Sequence, residues 1–292
     1  MLIRCLALLF CCGIQAKPQL VWLYSDWPPH QIVNGPFQGQ GTFDLLQQQL
    51  KAVMPQFEHQ QRLVSLARIE HMFRQQDEAV CTAGTLYSAE RAKNRLFSKP
   101  IAVGAAMAVA YLPGKLTLHP AMHKDGANVT ELAHDGSLLG AYQPNRLYPA
   151  EMDSVIKSGD SNLSSLAFTS EVNAAALLAS GRVDYVIEYP ERMQYYSHLL
   201  PQPVVLEYRA LAGANVASVT YVSCSFGETG EAAIAAVNQA LPGLWQNPVY
   251  LEAMHRWLDD SSRQRLQADV AAQQATLMQL EPGPDNAVNT GN

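Results

Sequence analysis

A glycine, a hydroxyl and a guanidinium lie close together in Ala83-Gly84-Thr85-Leu86-Tyr87-Ser88-Ala89-Glu90-Arg91, and this set could hold an anion. Gly84 has no Cβ, so a ligand can approach its backbone closely. Ser88, three residues before Arg91, is placed to cap a helix by accepting an orphan N–H. Arg91 then falls in the first turn of a helix that follows a glycine-containing turn. A guanidinium there can make a bidentate fork to a carboxylate or phosphate. The plainer reading of Arg91 is a surface arginine on an ordinary helix.

Other residues invite similar weighing. Trp27 follows a strand end beside Pro28 and Pro29, where it can be a rigid stacking wall or a core aromatic. Tyr142, Gln143 and Asn145, with Arg146 close by, lie between a strand and a helix, where unpaired N–H groups attract anions; a solvated loop is the alternative. Glu188 and Tyr189 end an apolar strand stopped by Pro190. His119, Met122 and His123 carry copper-type donors, but Pro120 and the flanking Gly and Asp favour a loop. No carboxylate or cysteine set has ligand spacing, so neither a metal nor a cofactor is expected. No nucleophile elbow, phosphate loop or His-Glu-x-x-His helix is present.

The elements that must position these groups alternate strand and helix. Leu20-Val21-Trp22-Leu23-Tyr24 has the composition of a buried strand, stopped by the two prolines. Thr42 is placed to cap a helix whose Phe43, Leu46, Leu50, Val53 and Met54 share one face, closed by Pro55. Val64 is expected to start a second strand, and Ile69, Met72 and Phe73 mark a short amphipathic helix before the Cys81 strand. This order implies a parallel sheet with helices on its faces. Residues 102–112 form an apolar run suited to one strand leading into a second unit. That unit has strands at 138–142, 164–168 and 183–189 and helices at 149–157 and 171–180, with Gly181 at the C′ position. A returning strand is expected over 216–223, then helices at 228–241 and 248–258.

The chain has 292 residues, 48% hydrophobic and 16% charged, with a net charge of −6. That length allows two lobes, and the charge excludes the basic footprint of a nucleic-acid binder. Arg4, the apolar residues 6–14 and Gln15-Ala16 make a secretory signal peptide over 1–16. Cys11 and Cys12 lack the small residue that a lipid-anchor site needs, so export as a free protein is expected, to the periplasm. Two cysteines then remain, Cys81 and Cys224. Export permits a disulfide between them, and two buried small apolar side chains is the other reading.

The Gly84–Pro100 block, with Glu90-Arg91 and Phe97-Ser98-Lys99-Pro100, closely resembles the Gly-x-Thr-x-Thr-x-Glu-Arg…Phe-Ser-x-Pro stretch of periplasmic solute-binding proteins of the polar-amino-acid type. The helix–Gly-Arg–Val-Asp-Tyr-Val-Ile pattern near 183–187 is also similar, and element order agrees over roughly 18–260. The resemblance implies a type 2 two-lobe α/β fold with the ligand cleft between the lobes. Lobe one would take 17–109 and 211–270, lobe two 110–210, and 271–292 a flexible tail, with hinges near Ala110 and Ala210. Both cysteines would then lie in lobe one. Arg91 would grip a ligand carboxylate, with Trp27, Gly84, Thr85 and Tyr87 beside it in lobe one. Tyr142, Gln143, Asn145, Glu188 and Tyr189 would face it from lobe two.

The chain departs from the family at three points. Leu86 stands where a threonine is common, and Tyr189 takes the place nearest the aspartate that holds an α-ammonium. In lobe one, Tyr24 replaces another aspartate, with Asp26 two residues on. The implied function is capture of a small anionic or zwitterionic, amino-acid-like ligand, as a monomer serving an ABC permease. An input subunit of a membrane sensor is one alternative. An enzyme on the same fold, like the cyclohexadienyl dehydratases and with Glu188 as acid, is the other.

Overall fold

The computed structural model describes residues 16–144, 148–169, 172–213 and 217–279. The expected signal peptide and the far end of the expected tail fall outside these. The chain enters through β1 (Gln19–Tyr24), α1 (Thr42–Ala52), β2 (Glu58–Leu63), α2 (Leu66–Gln75) and β3 (Val80–Leu86). A single turn, α3 (Ala89–Ala92), leads to β4 (Leu96–Gly104). There follow β5 (Ala108–Tyr111), the hairpin strands β6 (Met122–His123) and β7 (Gly126–Ala127), α4 (Val129–Ala133), β8 (Gly140–Tyr142) and α5 (Ala150–Ser158). Then come β9 (Leu163–Ser165), α6 (Ala174–Ala179), β10 (Tyr185–Glu188), α7 (Pro190–His198) and β11 (Glu207–Ala210). The chain closes with β12 (Ser218–Cys224), α8 (Glu228–Leu244), α9 (Pro248–Met254) and α10 (Asp260–Gln279).

Two five-stranded sheets result, ordered β2-β1-β3-β12-β4 and β11-β5-β10-β8-β9. Both are mixed, and the chain passes between them twice, after β4 and after β11. Strand alternation sends neighbouring side chains to opposite faces, and here both faces are covered. Leu20 and Trp22 of β1 join one cluster with α1, α8 and α9. Val21 and Leu23 meet Ile69, Met72 and Phe73 of α2 on the other face. Sheet two repeats the device: Ala108, Ala110 and Val186 face one cluster, and Val109, Tyr185 and Ile187 the other. Cys81 and Cys224 stand opposite each other on β3 and β12 and are joined by a disulfide.

Several expectations need correction. The apolar run 102–112 is two strands, interrupted at 105–107, where the chain leaves sheet one. Ala110 therefore lies inside β5, and the first crossover precedes it. Val64 follows β2 instead of starting it. Thr42 is the first helical residue: Gly41 is the N-cap, and the Asp44 carboxylate accepts its N–H (3.0 Å) and that of Ile32 (2.9 Å). Residues 271–279, expected to fray, continue α10. Leu277 is buried in the core and Gln274 donates to the Trp245 carbonyl. Ser88 does cap its helix, its hydroxyl accepting the Arg91 N–H at 3.2 Å, and Gly181 follows α6 with φ +67.

Candidate functional site

A cavity of about 380 Å³ lies between the sheets. From the first side its wall takes Trp27, Phe43, Leu66, Leu86, Val103 and Met254, with the polar groups of His30, Thr42, Ser218 and Thr220. The opposing side supplies Tyr189, Glu191 and Arg192, from the turn after β10 and the start of α7. Parallel strands β1 and β3 deliver Trp27 just past, and Leu86 at, their C-terminal ends, where open α/β sheets place ligands. Trp27 is held by its neighbours: its ring lies 4.6 Å from that of His30 and 6.3 Å from that of Phe43.

Gly84 makes room for a neighbouring ring. It adopts φ +86, and a Cβ there would fall 2.2 Å from Cε2 of Phe43. The missing side chain makes room for the Phe43 ring, and the ring in turn walls the cavity. Only glycine meets both demands.

Arg91 lies beside the cavity without forming its wall. Its Nη1 donates to the Leu86 carbonyl at 2.9 Å, and its Nε is 3.5 Å from Glu70 Oε1. Thr85 turns into the sheet, where its hydroxyl bonds that of Ser223 at 2.9 Å. Tyr87 is mostly exposed and packs edge-on against Phe97 and Tyr221. Tyr142 packs on Tyr148, while Gln143 accepts the Phe168 N–H at 2.7 Å and organises its own loop. Asn145 and Arg146 lie outside the described residues. Of the expected set, the structure brings Trp27 and Tyr189 together across the cavity, with Leu86 beside them.

Glu188 is fully buried at the end of β10, beneath the cavity. It accepts the Tyr189 N–H at 2.8 Å and pairs with Arg192 Nε at 3.2 Å. The remaining donors of Arg192 reach Tyr196 Oη at 2.6 Å and, across the cleft, the Pro28 carbonyl at 2.9 Å. Farther along, Phe37 from the β1–α1 loop packs edge-on against Trp257 at 5.1 Å and against Tyr195 of α7 at 6.2 Å. That loop therefore touches the second sheet's helix at two places.

Glu191 is the functional candidate that the sequence hid. It is 5% exposed, and its Oε1 accepts the Ala105 N–H at 2.7 Å in the first crossover. Its Oε2 is buried with no hydrogen-bond partner among the described residues. Burial pushes its carboxyl up to about 7; the Ala105 N–H pulls the other way, and the charges of Glu188 and Asp259 add to the rise. Gly104 leaves space beside it, since a Cβ there would sit 2.7 Å from Ser218 Oγ and 3.3 Å from Glu191 Oε1.

The folded protein binds the Glu191 proton more tightly than the unfolded chain, so the contribution is favourable at low pH and lost as pH rises from about 4.5 to about 7. The expected loss is about 3 kcal/mol. Glu191→Gln should flatten this part of the profile, and urea titrations between pH 4.5 and 8 measure it. Parallel profiles for the two proteins would refute the assignment.

His119 and His123 each meet one carboxylate, Asp135 at 3.0 Å and Glu131 at 3.7 Å. Among the described residues no three such groups gather as a metal cluster. No helix among them is long and apolar enough to cross a membrane.

No protein-family model matches this sequence, and no curated protein matches it. Solved structures do match its fold. A probable amino-acid ABC transporter extracellular-binding protein from Bacillus subtilis is 14% identical, covering 84% of this chain and 100% of its own, with a TM-score of 0.59. The second substrate-binding domain of a putative amino acid ABC transporter from Streptococcus pneumoniae gives 14%, 82%, 100% and 0.59. A histidine kinase sensor domain with similarity to periplasmic binding proteins gives 17%, 83%, 96% and 0.52. This chain has the two-lobe α/β fold of the periplasmic binding proteins.

Proposed function

We propose that the protein is an exported solute-binding protein that captures a small, amino-acid-like ligand between its lobes and presents the closed form to a membrane transporter. The observation that carries this reading is the cavity walled from both sheets, with Trp27 and Leu86 on one side and Tyr189 and Arg192 on the other. A ligand touching both walls favours closure, because only the closed form offers it every contact. The amino-acid transporter neighbours support the ligand class, and the sensor-domain neighbour keeps a receptor as the other destination.

The wall narrows the ligand further. It is mostly apolar and aromatic, so the ligand carries an apolar or aromatic body. A carboxylate on it would lie at the rim, where Arg91 could exchange the Leu86 carbonyl for the stronger anionic acceptor.

Mass spectrometry of protein carried through native purification, followed by calorimetry with the twenty amino acids, tests this. Trp27→Ala should weaken the tightest ligand about tenfold or more, through lost stacking and burial. Arg91→Ala should do the same only if the ligand is anionic. Unchanged affinity in Trp27→Ala would remove the cavity from consideration.

One observation favours a second reading, an enzyme on the same scaffold. Acid–base chemistry needs a carboxyl with a raised pKa near the bound substrate, and Glu191, which lines the cavity, meets that requirement. Product formation on incubation with prephenate, absent in Glu191→Gln, would support it.

A further inference from the structure

A second cavity, of about 410 Å³, opens away from the ligand cleft, against both crossovers between the lobes. Ala105 and Ala217 border it, and its charged and polar lining is Lys124, Asp125, Arg209, Ser262, Arg265 and Asp269. Three cations thus face two carboxylates, in a protein of net charge −6.

The two arginines come from different lobes. Arg209 lies on β11, at the edge of sheet two. Arg265 lies on α10, whose Leu266 and Val270 are buried in the core of sheet one. Arg265 donates Nη1 to Ser261 Oγ at 3.1 Å and Nη2 to Ser262 Oγ at 2.6 Å, both neutral acceptors. Arg209 Nε is buried with no hydrogen-bond partner among the described residues. Among the described residues neither guanidinium forms an ion pair. Burial draws Arg265 below its ordinary value, Asp259 works against that, and repulsion from Arg209 adds to the lowering, so the two charges lie within each other's reach. Neither arginine is fully buried, and a guanidinium with unused donors suits a planar or tetrahedral oxyanion.

We propose that this cavity is a binding site for a small free oxyanion, held between Arg209 and Arg265. Such an anion would add negative charge to a lining that has one carboxylate fewer than its cations, and would tie the two lobes together beside the crossovers. It would therefore favour the lobe arrangement in which both arginines reach it. The site does not depend on the cleft holding a solute.

Thermal unfolding in inorganic phosphate, sulfate, acetate or chloride at constant ionic strength provides the test. Phosphate and sulfate should raise the midpoint saturably and acetate less so, while chloride should not. Arg209→Gln and Arg265→Gln should each raise the half-saturating phosphate concentration at least tenfold, and Arg209→Lys should raise it less. Trp27→Ala, which alters only the ligand cleft, should respond to phosphate like the parent protein. Equal shifts with chloride, or an unchanged phosphate response in both glutamine variants, would overturn the proposal. Native mass spectrometry in phosphate gives a second reading should one variant fold poorly: one bound phosphate in the parent, none in the variant that does fold.

Discussion

Reducing the bridge between Cys81 and Cys224, or replacing both by alanine, should lower stability by about 5 kcal/mol in the chain-entropy account. The size follows from the separation of 143 residues. The loop so closed contains all of sheet two, β5 to β11, so the bridge joins the strand before the excursion to the strand after it. In the unfolded chain this removes many configurations; in the folded protein β3 and β12 are already paired residue by residue. Thermal unfolding with and without reductant should differ by on the order of 10–20 °C. A difference below about 2 °C would show that the bridge constrains little that folding had not already constrained.

The same strands explain what was legible in the sequence. β1 and β3 are buried on both faces, so they appear as apolar runs, and prolines or a glycine mark their ends. β2 could not be read that way: Glu58–Leu63 is an edge strand with almost every side chain exposed, and it carries neither an apolar run nor alternation. The first crossover was hidden for the opposite reason. Ala105 and Met107 are buried between the lobes, so hydrophobicity continues through the point where the chain changes sheet. The last turns of α10 looked like a tail because they are rich in glutamine and alanine, although Leu277 and the Gln274 bond to Trp245 anchor them.

Residue roles were harder than elements, because partners arrive from distant parts of the chain. Local spacing correctly capped α3 with Ser88 beneath Arg91, but nothing local announces that Glu70 of α2 will reach that guanidinium. Glu191 follows Pro190 in the first turn of a helix, where a carboxylate ordinarily sits in water near the positive helix end. Its burial depends on Ala105, a residue 86 positions away. A glutamate directly after a strand-ending proline, in a chain expected to close over that strand, was the available signal.

Arg192→Met should cost about 3–5 kcal/mol, because it removes the guanidinium from a carboxylate that is itself wholly buried. The double variant Glu188→Gln/Arg192→Met should recover much of it, since a buried charge without its guanidinium is worse than no charge. A second effect concerns closure. The Arg192 bond to the Pro28 carbonyl is a direct polar link from the start of α7 to the turn that carries Trp27. Losing it frees α7 from that turn, although Phe37 and Trp257 still hold Tyr195 farther along. The single variant should therefore scatter X-rays as a more open particle and bind the cleft ligand more weakly, while Arg192→Lys, which keeps a donor, lies between. If the single and double variants prove equally unstable and the particle keeps its dimensions, then the Glu188–Arg192 pair neither stabilises the second lobe nor helps hold it against the first.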